Sequence, residues 1–334
     1  MYHLDNGLIG QLHSMLLYSL AILAGIVLLL YGADRFVVGA AAAARNLGVS
    51  PLLIGLTIVG FATSAPEILV SVTAALRGAT DMAVGNAIGS NIANIGMVLG
   101  IGAMIRPIMI SGSGTLRREF PMLIGITLLV FLLFLDDRLS IYDGFLLLTG
   151  LAIFLYWIIR IGFTSESGDS MAAEYDAEIP RDLSTKQAFF WLFAGFAVLL
   201  VGSNLLVWGA EEVARTFGVS ELVIGLTILA IGTSLPELAV TAMSAFKGEA
   251  GLALGNIVGS NIYNLLAVVG VAATIHPADL SADVVRLHYP VMAGFTVALY
   301  LMAYNYKGND VACIKRYQGV ILFVAFLAYH VNNI

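Results

Sequence analysis

The chain contains one long segment that is written twice. Residues 55–100 align without a gap on residues 225–270, at a constant offset of 170 positions, and nearly half of the aligned positions are identical. The register continues outward, because Gly32 falls on Gly202 at the same offset. A repeat of this length predicts two copies of one structural unit, and it constrains the fold more than any single motif does.

The composition predicts that both copies are embedded in a membrane. The chain has 334 residues, of which 59% are hydrophobic and only 11% are charged, whereas soluble domains carry roughly a quarter charged residues. A membrane-spanning helix needs about 20 apolar residues. We identify ten segments of about this length, at residues 16–43, 51–76, 83–105, 119–135, 141–161, 188–209, 221–246, 252–275, 288–305 and 318–333.

Corresponding segments of the two copies lie five spans apart. Because five is odd, the second copy must enter the membrane from the opposite side. The sequence therefore predicts an all-α polytopic membrane protein with ten transmembrane helices in two inverted-topology repeats of five, an architecture of many secondary transporters. We expect a first repeat at 1–161, a polar cytoplasmic linker at 162–187 and a second repeat at 188–334.

The distribution of Lys and Arg predicts the orientation. With the N-terminus outside, most basic residues fall on the side of the linker, and the opposite side holds only Arg77, Arg138, Arg215 and Arg286. Basic residues concentrate in cytoplasmic loops, so we expect both termini outside. The first residues lack the basic region of a cleaved signal peptide, so the first span is expected to be retained. The net charge of −6 gives no reason to expect a nucleic-acid partner.

Each copy places a proline beside a glutamate inside an apolar span, in ATSAPEIL and GTSLPELA. Thr63 and Glu67 are spaced i, i+4 and share one helix face. Pro66 lies between them and cannot donate a backbone hydrogen bond, so we expect a kink that frees carbonyl groups around residues 60–63. In hydrocarbon a freed carbonyl needs a partner, and a bound cation is one. The second copy repeats the device with Thr233, Pro236 and Glu237.

The next span of each copy supplies a polar stripe. Asn86, Ser90 and Asn94 are spaced i, i+4, i+8, and Gly85 and Gly89 are spaced to let two helices approach closely. The second copy repeats this pattern with Asn256, Ser260, Asn264, Gly255 and Gly259. Four spans are therefore expected to bring hydroxyls, amides, carbonyls and two carboxylates together.

These groups form a set of hard oxygen ligands, which select Ca²⁺, Na⁺ and similar ions. No His or Cys lies in the four segments. Two glutamates carry a formal charge of −2, which one Ca²⁺ or two Na⁺ would balance. Two unpaired carboxylates in a low dielectric are costly unless they take up protons. That cost disfavours rearrangement of the empty site and favours exchange over leak.

Several alternatives stay open at this point. A membrane glutamate can be protonated and hydrogen-bonded between helices, and Ser or Asn can serve as interhelical glue. For Asn86, Asn91, Asn256 and Asn261, packing and ion contact are equally supported. A Na⁺/Ca²⁺ antiporter, a Ca²⁺/H⁺ antiporter and a cation channel could all use this set of oxygen ligands. The segments lack an activated nucleophile and a pair of metal-binding histidines, so we expect a transporter and not an enzyme.

At these residues the sequence resembles a known family. GFATSAPEI with GNAIGSNIAN, and AIGTSLPEL with GNIVGSNIYN, resemble the two α-repeats of the cation/Ca²⁺ antiporter superfamily, and most closely the prokaryotic Na⁺/Ca²⁺ exchangers of the bacterial YrbG-like branch. The resemblance covers essentially all ten spans. It implies an ion cluster made by spans two, three, seven and eight, and alternating access by sliding of the first and sixth helices over that core.

The resemblance also implies which residues bind the ions. Carried over by position, the metal ligands are Gly60 (carbonyl), Thr63, Ser64, Glu67, Ser90, Asn94, Ala230 (carbonyl), Thr233, Ser234, Glu237, Ser260 and Asn264. Many family members carry an aspartate where this chain has Asn264, which puts K⁺ co-transport in doubt. We expect Na⁺/Ca²⁺ antiport in a prokaryotic inner (plasma) membrane, with Ca²⁺ extruded by the Na⁺ gradient. We expect no cofactor, and a chain that functions as a monomer in the lipid bilayer.

Overall fold

The computed structural model describes residues 2–49, 51–111, 116–164, 183–218, 230–303 and 311–333, and these residues are almost entirely helical. The α-helices are α1 Tyr2–Leu47, α2 Pro51–Ile54, α3 Gly60–Thr63, α4 Ala65–Leu76, α5 Thr80–Ala93, α6 Gly100–Ile105, α7 Leu116–Leu133, α8 Ile141–Thr164, α9 Thr185–Thr216, α10 Ala230–Thr233, α11 Leu235–Lys247, α12 Ala250–Tyr263, α13 Val269–Ile275, α14 Tyr289–Ala303 and α15 Arg316–Asn333.

Among the described residues, four helical segments have π geometry and continue the α-helices beside them. They are Gly55–Val59, Asn94–Leu99, Asn264–Val268 and Val284–His288. Two short antiparallel ribbons lie outside the helices. They pair β1 Ile108–Ser111 with β4 Val311–Ile314, and β2 Arg138–Leu139 with β3 Ala278–Asp279.

Six helices of the described chain are long and apolar enough to cross a membrane, and a bent pair makes a seventh. The six are His13–Leu47, Thr80–Ile105, Ile141–Ile158, Thr185–Thr216, Ala250–Ile275 and Val284–Ala303. A shorter apolar helix covers Glu119–Leu133. Residues 219–229, where the predicted span at 221–246 begins, and most of the predicted linker lie outside the described residues. The count of ten spans therefore stays a prediction.

Two spans form the centre of the molecule. In Thr80–Ile105 and Ala250–Ile275, 78% and 89% of the most apolar stretch is buried, compared with 22% in His13–Leu47. The two central spans carry the predicted polar stripes, so these stripes lie away from lipid. Tyr263 of α12 is buried as well, and its hydroxyl donates to the Thr57 carbonyl at 3.2 Å.

Helices α1 and α9 pack against each other along most of their length. A Cβ added at Gly32 of α1 would lie 2.5 Å from the Leu199 nitrogen, and one added at Gly202 of α9 would lie 2.5 Å from the Leu29 nitrogen. These glycines are equivalent in the repeat, so both copies use the same device to bring two backbones into contact. Helix α1 also meets the core through an ion pair, with Asp34 Oδ1 2.7 Å from Lys247 Nζ.

The glycines of the second polar stripe confirm the close approach that their spacing predicts. A Cβ added at Gly259 would lie 2.7 Å from the Leu56 carbonyl oxygen, and one at Gly55 would lie 2.9 Å from the Gly255 Cα. The second span is therefore seated directly on α12. At Gly85 and Gly89 no described atom lies within 4 Å of an added Cβ, and the positions that correspond to Gly55 and Leu56 by the offset of 170 lie outside the described residues.

Candidate ion-binding site

The predicted kinks are present in both copies. Helix α3 ends at Thr63, Ser64 adopts φ −80° and ψ 2°, and α4 begins at Ala65 with Pro66 in its first turn. The two parts of this span meet at 50°. In the second copy Ser234 takes nearly the same backbone angles, φ −88° and ψ 4°, between α10 and α11. Proline is tolerated in a first helical turn, where its missing N–H would be unpaired anyway.

The break places each glutamate at the start of a new helix. Glu67 lies in the first turn of α4 and Glu237 lies in the first turn of α11. The N-terminal end of a helix carries partial positive charge, which stabilises a nearby carboxylate. Because both helices begin inside the protein, the fold holds two carboxyl groups at its centre.

Both carboxyl groups are completely buried and only half satisfied. Glu67 Oε1 accepts from Ser90 Oγ at 3.5 Å, whereas Glu237 Oε1 accepts from Ser64 Oγ and Ser260 Oγ, each at 3.4 Å. The second oxygen, Oε2, has no hydrogen-bond partner in either residue among the described atoms. A buried oxygen without a partner is costly, and a cation would satisfy it.

A hydroxyl network joins the two copies at the first kink. Thr63 Oγ1 donates to Asn256 Oδ1 at 2.9 Å and shares a 3.3 Å hydrogen bond with Ser260 Oγ. The Gly60 carbonyl, which we expected to be freed by Pro66, accepts from the Ser64 nitrogen at 3.1 Å. It also accepts from the hydroxyls of Thr63 at 3.3 Å and Ser260 at 3.4 Å. The ordinary i, i+4 backbone bond from Ser64 therefore satisfies this carbonyl, and the hydroxyls of the kink and of α12 lie within reach of its second lone pair.

The last asparagine of each polar stripe donates a hydrogen bond to the other copy. Asn94 Nδ2 donates to Asn261 Oδ1 at 3.2 Å, and Asn264 Nδ2 donates to Asn91 Oδ1 at 3.0 Å. Asn94 and Asn264 are fully buried, and the Oδ1 atom of each has no partner among the described residues. Each of these asparagines also begins a π segment, a geometry that is frequent at functional sites.

Asn86 and Asn256 pack the kinked span instead of facing an ion. Each donates to a glutamate's backbone carbonyl at 3.3 Å, Asn86 to Glu67 and Asn256 to Glu237. Each also donates to a hydroxyl of the same span, Ser71 at 3.2 Å and Thr241 at 2.9 Å. From the sequence, packing and ion contact were equally supported for these two asparagines. The hydrogen bonds favour packing. The only sequence feature that pointed to a shared role for these two asparagines was their equivalent position in the two copies.

The structure brings the predicted site residues together, with one position only partly described. Hydrogen bonds place nine of them in three groups on consecutive turns of the same helices, which we together call the cluster. The first group joins both copies and contains Gly60, Thr63, Ser64, Glu237 and Ser260, with Asn256. The second contains Glu67 and Ser90, and the third joins Asn94 and Asn264 of the two copies through Asn91 and Asn261. Thr233 and Ser234 are buried at the second break, beside Glu237. Ala230 begins α10, and its side chain lies outside the described part.

Five buried oxygens of the predicted site residues have no hydrogen-bond partner among the described residues. They are Glu67 Oε2, Asn94 Oδ1, Ser234 Oγ, Glu237 Oε2 and Asn264 Oδ1. Both copies contribute, and two of the five are carboxylate oxygens. In the described ranges, no group of three or more His, Cys, Asp or Glu side chains could hold a metal. The arrangement can therefore hold hard cations with neutral oxygens around two carboxylates.

Comparison with known proteins places this geometry in a family. Residues 17–160 and 187–334 match the family described as sodium/calcium exchanger protein. CaxA of Alkalimonas amylolytica is 49% identical over 315 residues, covering 94% of this chain and 98% of that one. The inner membrane protein YrbG of Escherichia coli is 38% identical over 317 residues, covering 94% and 96%.

Solved structures of the sodium–calcium exchanger NCX_Mj share the fold. The structure determined without Na⁺ and Ca²⁺ superposes with a TM-score of 0.82 at 32% sequence identity, covering 95% of this chain and 99% of that chain. The repeated signatures, the kinked spans and the buried oxygens thus occur in a chain that matches this fold over nearly its whole length. The chain belongs to the sodium/calcium exchanger family, in its prokaryotic YrbG-like branch, and is a membrane-embedded cation/Ca²⁺ antiporter.

Proposed function

We propose that the protein exchanges Na⁺ for Ca²⁺ by alternating access and that it extrudes Ca²⁺ at the expense of the Na⁺ gradient. The observation that carries this proposal is the group of five buried oxygens that have no hydrogen-bond partner in the described part of the chain, two of which belong to Glu67 and Glu237. The sodium–calcium exchanger NCX_Mj, which has the same fold, supports Na⁺ as the coupling ion.

The chemistry of the site favours Na⁺ over H⁺. Two carboxylates are neutralised equally well by one Ca²⁺, two Na⁺ or two protons. Protons, however, need no coordination shell, whereas Ca²⁺ takes 6–8 oxygen ligands. The unpartnered amide oxygens of Asn94 and Asn264 and the Ser234 hydroxyl add neutral ligands, which serve a metal cation and are superfluous for proton binding.

We propose that the ligands are the residues carried over from the family resemblance. They are Gly60 (carbonyl), Thr63, Ser64, Glu67, Ser90, Asn94, Ala230 (carbonyl), Thr233, Ser234, Glu237, Ser260 and Asn264. The first repeat would extend over residues 1–161 and the second over 188–334, with the linker in the cytoplasm and both termini outside. The two copies together complete one site within one chain, which supports a monomer as the transporting unit.

The test is ⁴⁵Ca²⁺ uptake into purified proteoliposomes loaded with Na⁺, with and without Na⁺ outside. Uptake should require the outward Na⁺ gradient in the wild type and should be lost in both Glu67→Gln and Glu237→Gln. The matched control is Glu212→Gln, because Glu212 pairs with Arg215 at the end of α9 and lies outside the cluster. Its uptake should equal that of the wild type.

Three results would contradict the proposal. Uptake driven by a pH gradient and indifferent to Na⁺ would assign the protein to the proton-coupled antiporters. Uptake that survives both glutamate substitutions would mean that these side chains only hold helices together. Currents that exceed transporter turnover and need no counter-ion would indicate a channel.

A further inference from the structure

Two buried asparagines that are not among the proposed ligands contact two that are. Asn261 Oδ1 accepts from Asn94 Nδ2 at 3.2 Å, and Asn91 Oδ1 accepts from Asn264 Nδ2 at 3.0 Å. All four side chains are at least 99% buried. Asn91 precedes Asn94 by three residues and Asn261 precedes Asn264 by three, so the two contacts are equivalent under the repeat.

These contacts decide which end of each amide faces the site. An asparagine amide has a donor end and an acceptor end, and they exchange places when the group rotates by half a turn. Nδ2 of Asn94 donates to an acceptor on α12, and in this arrangement its Oδ1 points the other way, where it has no partner among the described residues. Asn264 is held in the same manner. Without the accepting oxygens, either amide could turn its NH₂ group toward a cation.

We infer that Asn91 and Asn261 are positioning residues that keep the Asn264 and Asn94 amide oxygens directed at the transported cation. The inference rests on the proposed function, because it assumes that these oxygens face a hard cation. Outer-sphere hydrogen bonds of this kind orient ligands in metal sites generally, and their loss commonly weakens metal binding by about 10- to 100-fold.

The two positioning asparagines are not equally well anchored. Asn91 Nδ2 is itself anchored, since it donates to the Asn261 carbonyl at 3.2 Å and contacts Met292 Sδ at 3.6 Å. Asn261 Nδ2 has no partner among the described residues. Only the acceptor end of Asn261 is therefore used, and a side chain that offers an acceptor alone can replace it. Asn91 needs both ends.

The test uses ⁴⁵Ca²⁺ uptake into vesicles loaded with unlabelled Ca²⁺ and no Na⁺, followed by inhibition with added Na⁺. Ca²⁺–Ca²⁺ exchange needs no coupling ion, so a failure of Na⁺ coupling in the wild type would leave this readout intact. For Asn261→Leu we expect the KM for Ca²⁺ or the inhibitory Na⁺ concentration to rise by about 10- to 100-fold. Asn261→Asp and Asn91→Asp add the same negative charge, but only Asn261→Asp keeps every hydrogen bond that the wild-type side chain makes among the described residues, so Asn91→Asp should be the more impaired of the two.

A double-mutant cycle separates positioning from packing. In an Asn94→Ala background there is no amide left to orient, so Asn261→Leu should add little further change in either constant. Thr127→Val is the control for loss of a buried polar side chain, because within the described residues the Thr127 hydroxyl donates only to its own helix, at the Leu123 carbonyl. Full additivity in the cycle, or an unchanged KM and Na⁺ inhibition in folded Asn261→Leu, would overturn the inference. If Asn261→Leu does not fold, the contrast between Asn261→Asp and Asn91→Asp decides it.

Discussion

Replacing Gly32 by alanine should destabilise the packing of α1 on α9. The added Cβ would lie 2.5 Å from the backbone nitrogen of Leu199 and 2.7 Å from its Cα. Ordinary contacts between such atoms begin near 3.4 Å, so one helix must shift by about 1 Å. The clashing atoms belong to backbone and cannot rotate away. Overpacking of this kind costs about 1–3 kcal/mol, and we expect the upper end of that range.

Gly125→Ala is the matched control. Gly125 is exposed on α7, and no described atom lies within 4 Å of a Cβ added there. Alanine is favoured over glycine in a helix interior by about 1 kcal/mol, so this variant should be neutral or slightly stabilised. At Gly32 the same gain offsets only part of the clash. The two variants should therefore differ by about 2–3 kcal/mol, which is roughly 30- to 150-fold in the ratio of folded to unfolded protein.

The assay is thermal unfolding of detergent-purified protein, followed by intrinsic fluorescence and size-exclusion chromatography. Gly32→Ala should unfold at a lower temperature than the wild type, and Gly202→Ala, its equivalent in the repeat, should behave alike. Equal unfolding temperatures for Gly32→Ala and Gly125→Ala would refute the close packing that we describe.

Three further predictions concern the site and its support. Saturating Ca²⁺ at about 100 times its Kd should raise the free energy of unfolding of the wild type by about 2.7 kcal/mol, and thermal shifts should show no such rise in the Glu67→Gln/Glu237→Gln double variant. Thr63→Val removes the hydroxyl of a proposed ligand and leaves the Asn256 amide oxygen without its 2.9 Å donor, so it should weaken Ca²⁺ affinity about tenfold; unchanged ⁴⁵Ca²⁺ binding would mean that the Thr63 hydroxyl contributes neither to the ligands nor to the network. Tyr263→Phe removes only the hydrogen bond to the Thr57 carbonyl, so denaturation should show a loss of about 1 kcal/mol, and a loss several times larger would mean that the hydroxyl has another role.

The architecture could be predicted from the sequence because it depends on periodic and repeated features. The repeat is visible as a match between two segments, and the apolar spans and the Pro66 kink follow from the residues of each segment. The structure has the kink and the polar cluster at the predicted residues. These features are intrinsic to each segment, so no tertiary contact is needed to recognise them.

Features that depend on tertiary partners could not be predicted in the same way. Nothing local distinguishes Asn86, which holds a backbone carbonyl of its neighbouring span, from Asn94, whose oxygen is left without a partner. The Gly60 carbonyl was expected to be free, but it keeps its backbone hydrogen bond from Ser64, and Ser260 of the other copy also approaches it, a contact that the sequence does not show. The π segments that begin at Asn94 and Asn264 have no residue signature either.

The central claim is that Ca²⁺ and Na⁺ share one site between the two copies. Equilibrium binding of ⁴⁵Ca²⁺ to purified protein, titrated with Na⁺ at several Ca²⁺ concentrations, tests it most directly. Because Glu67 and Glu237 together carry two charges, we predict full competition, with a Hill coefficient for Na⁺ above one and no Ca²⁺ binding after either glutamate becomes glutamine. Na⁺ that leaves Ca²⁺ binding unchanged, or Ca²⁺ that still binds both glutamine variants with wild-type affinity, would contradict a shared site.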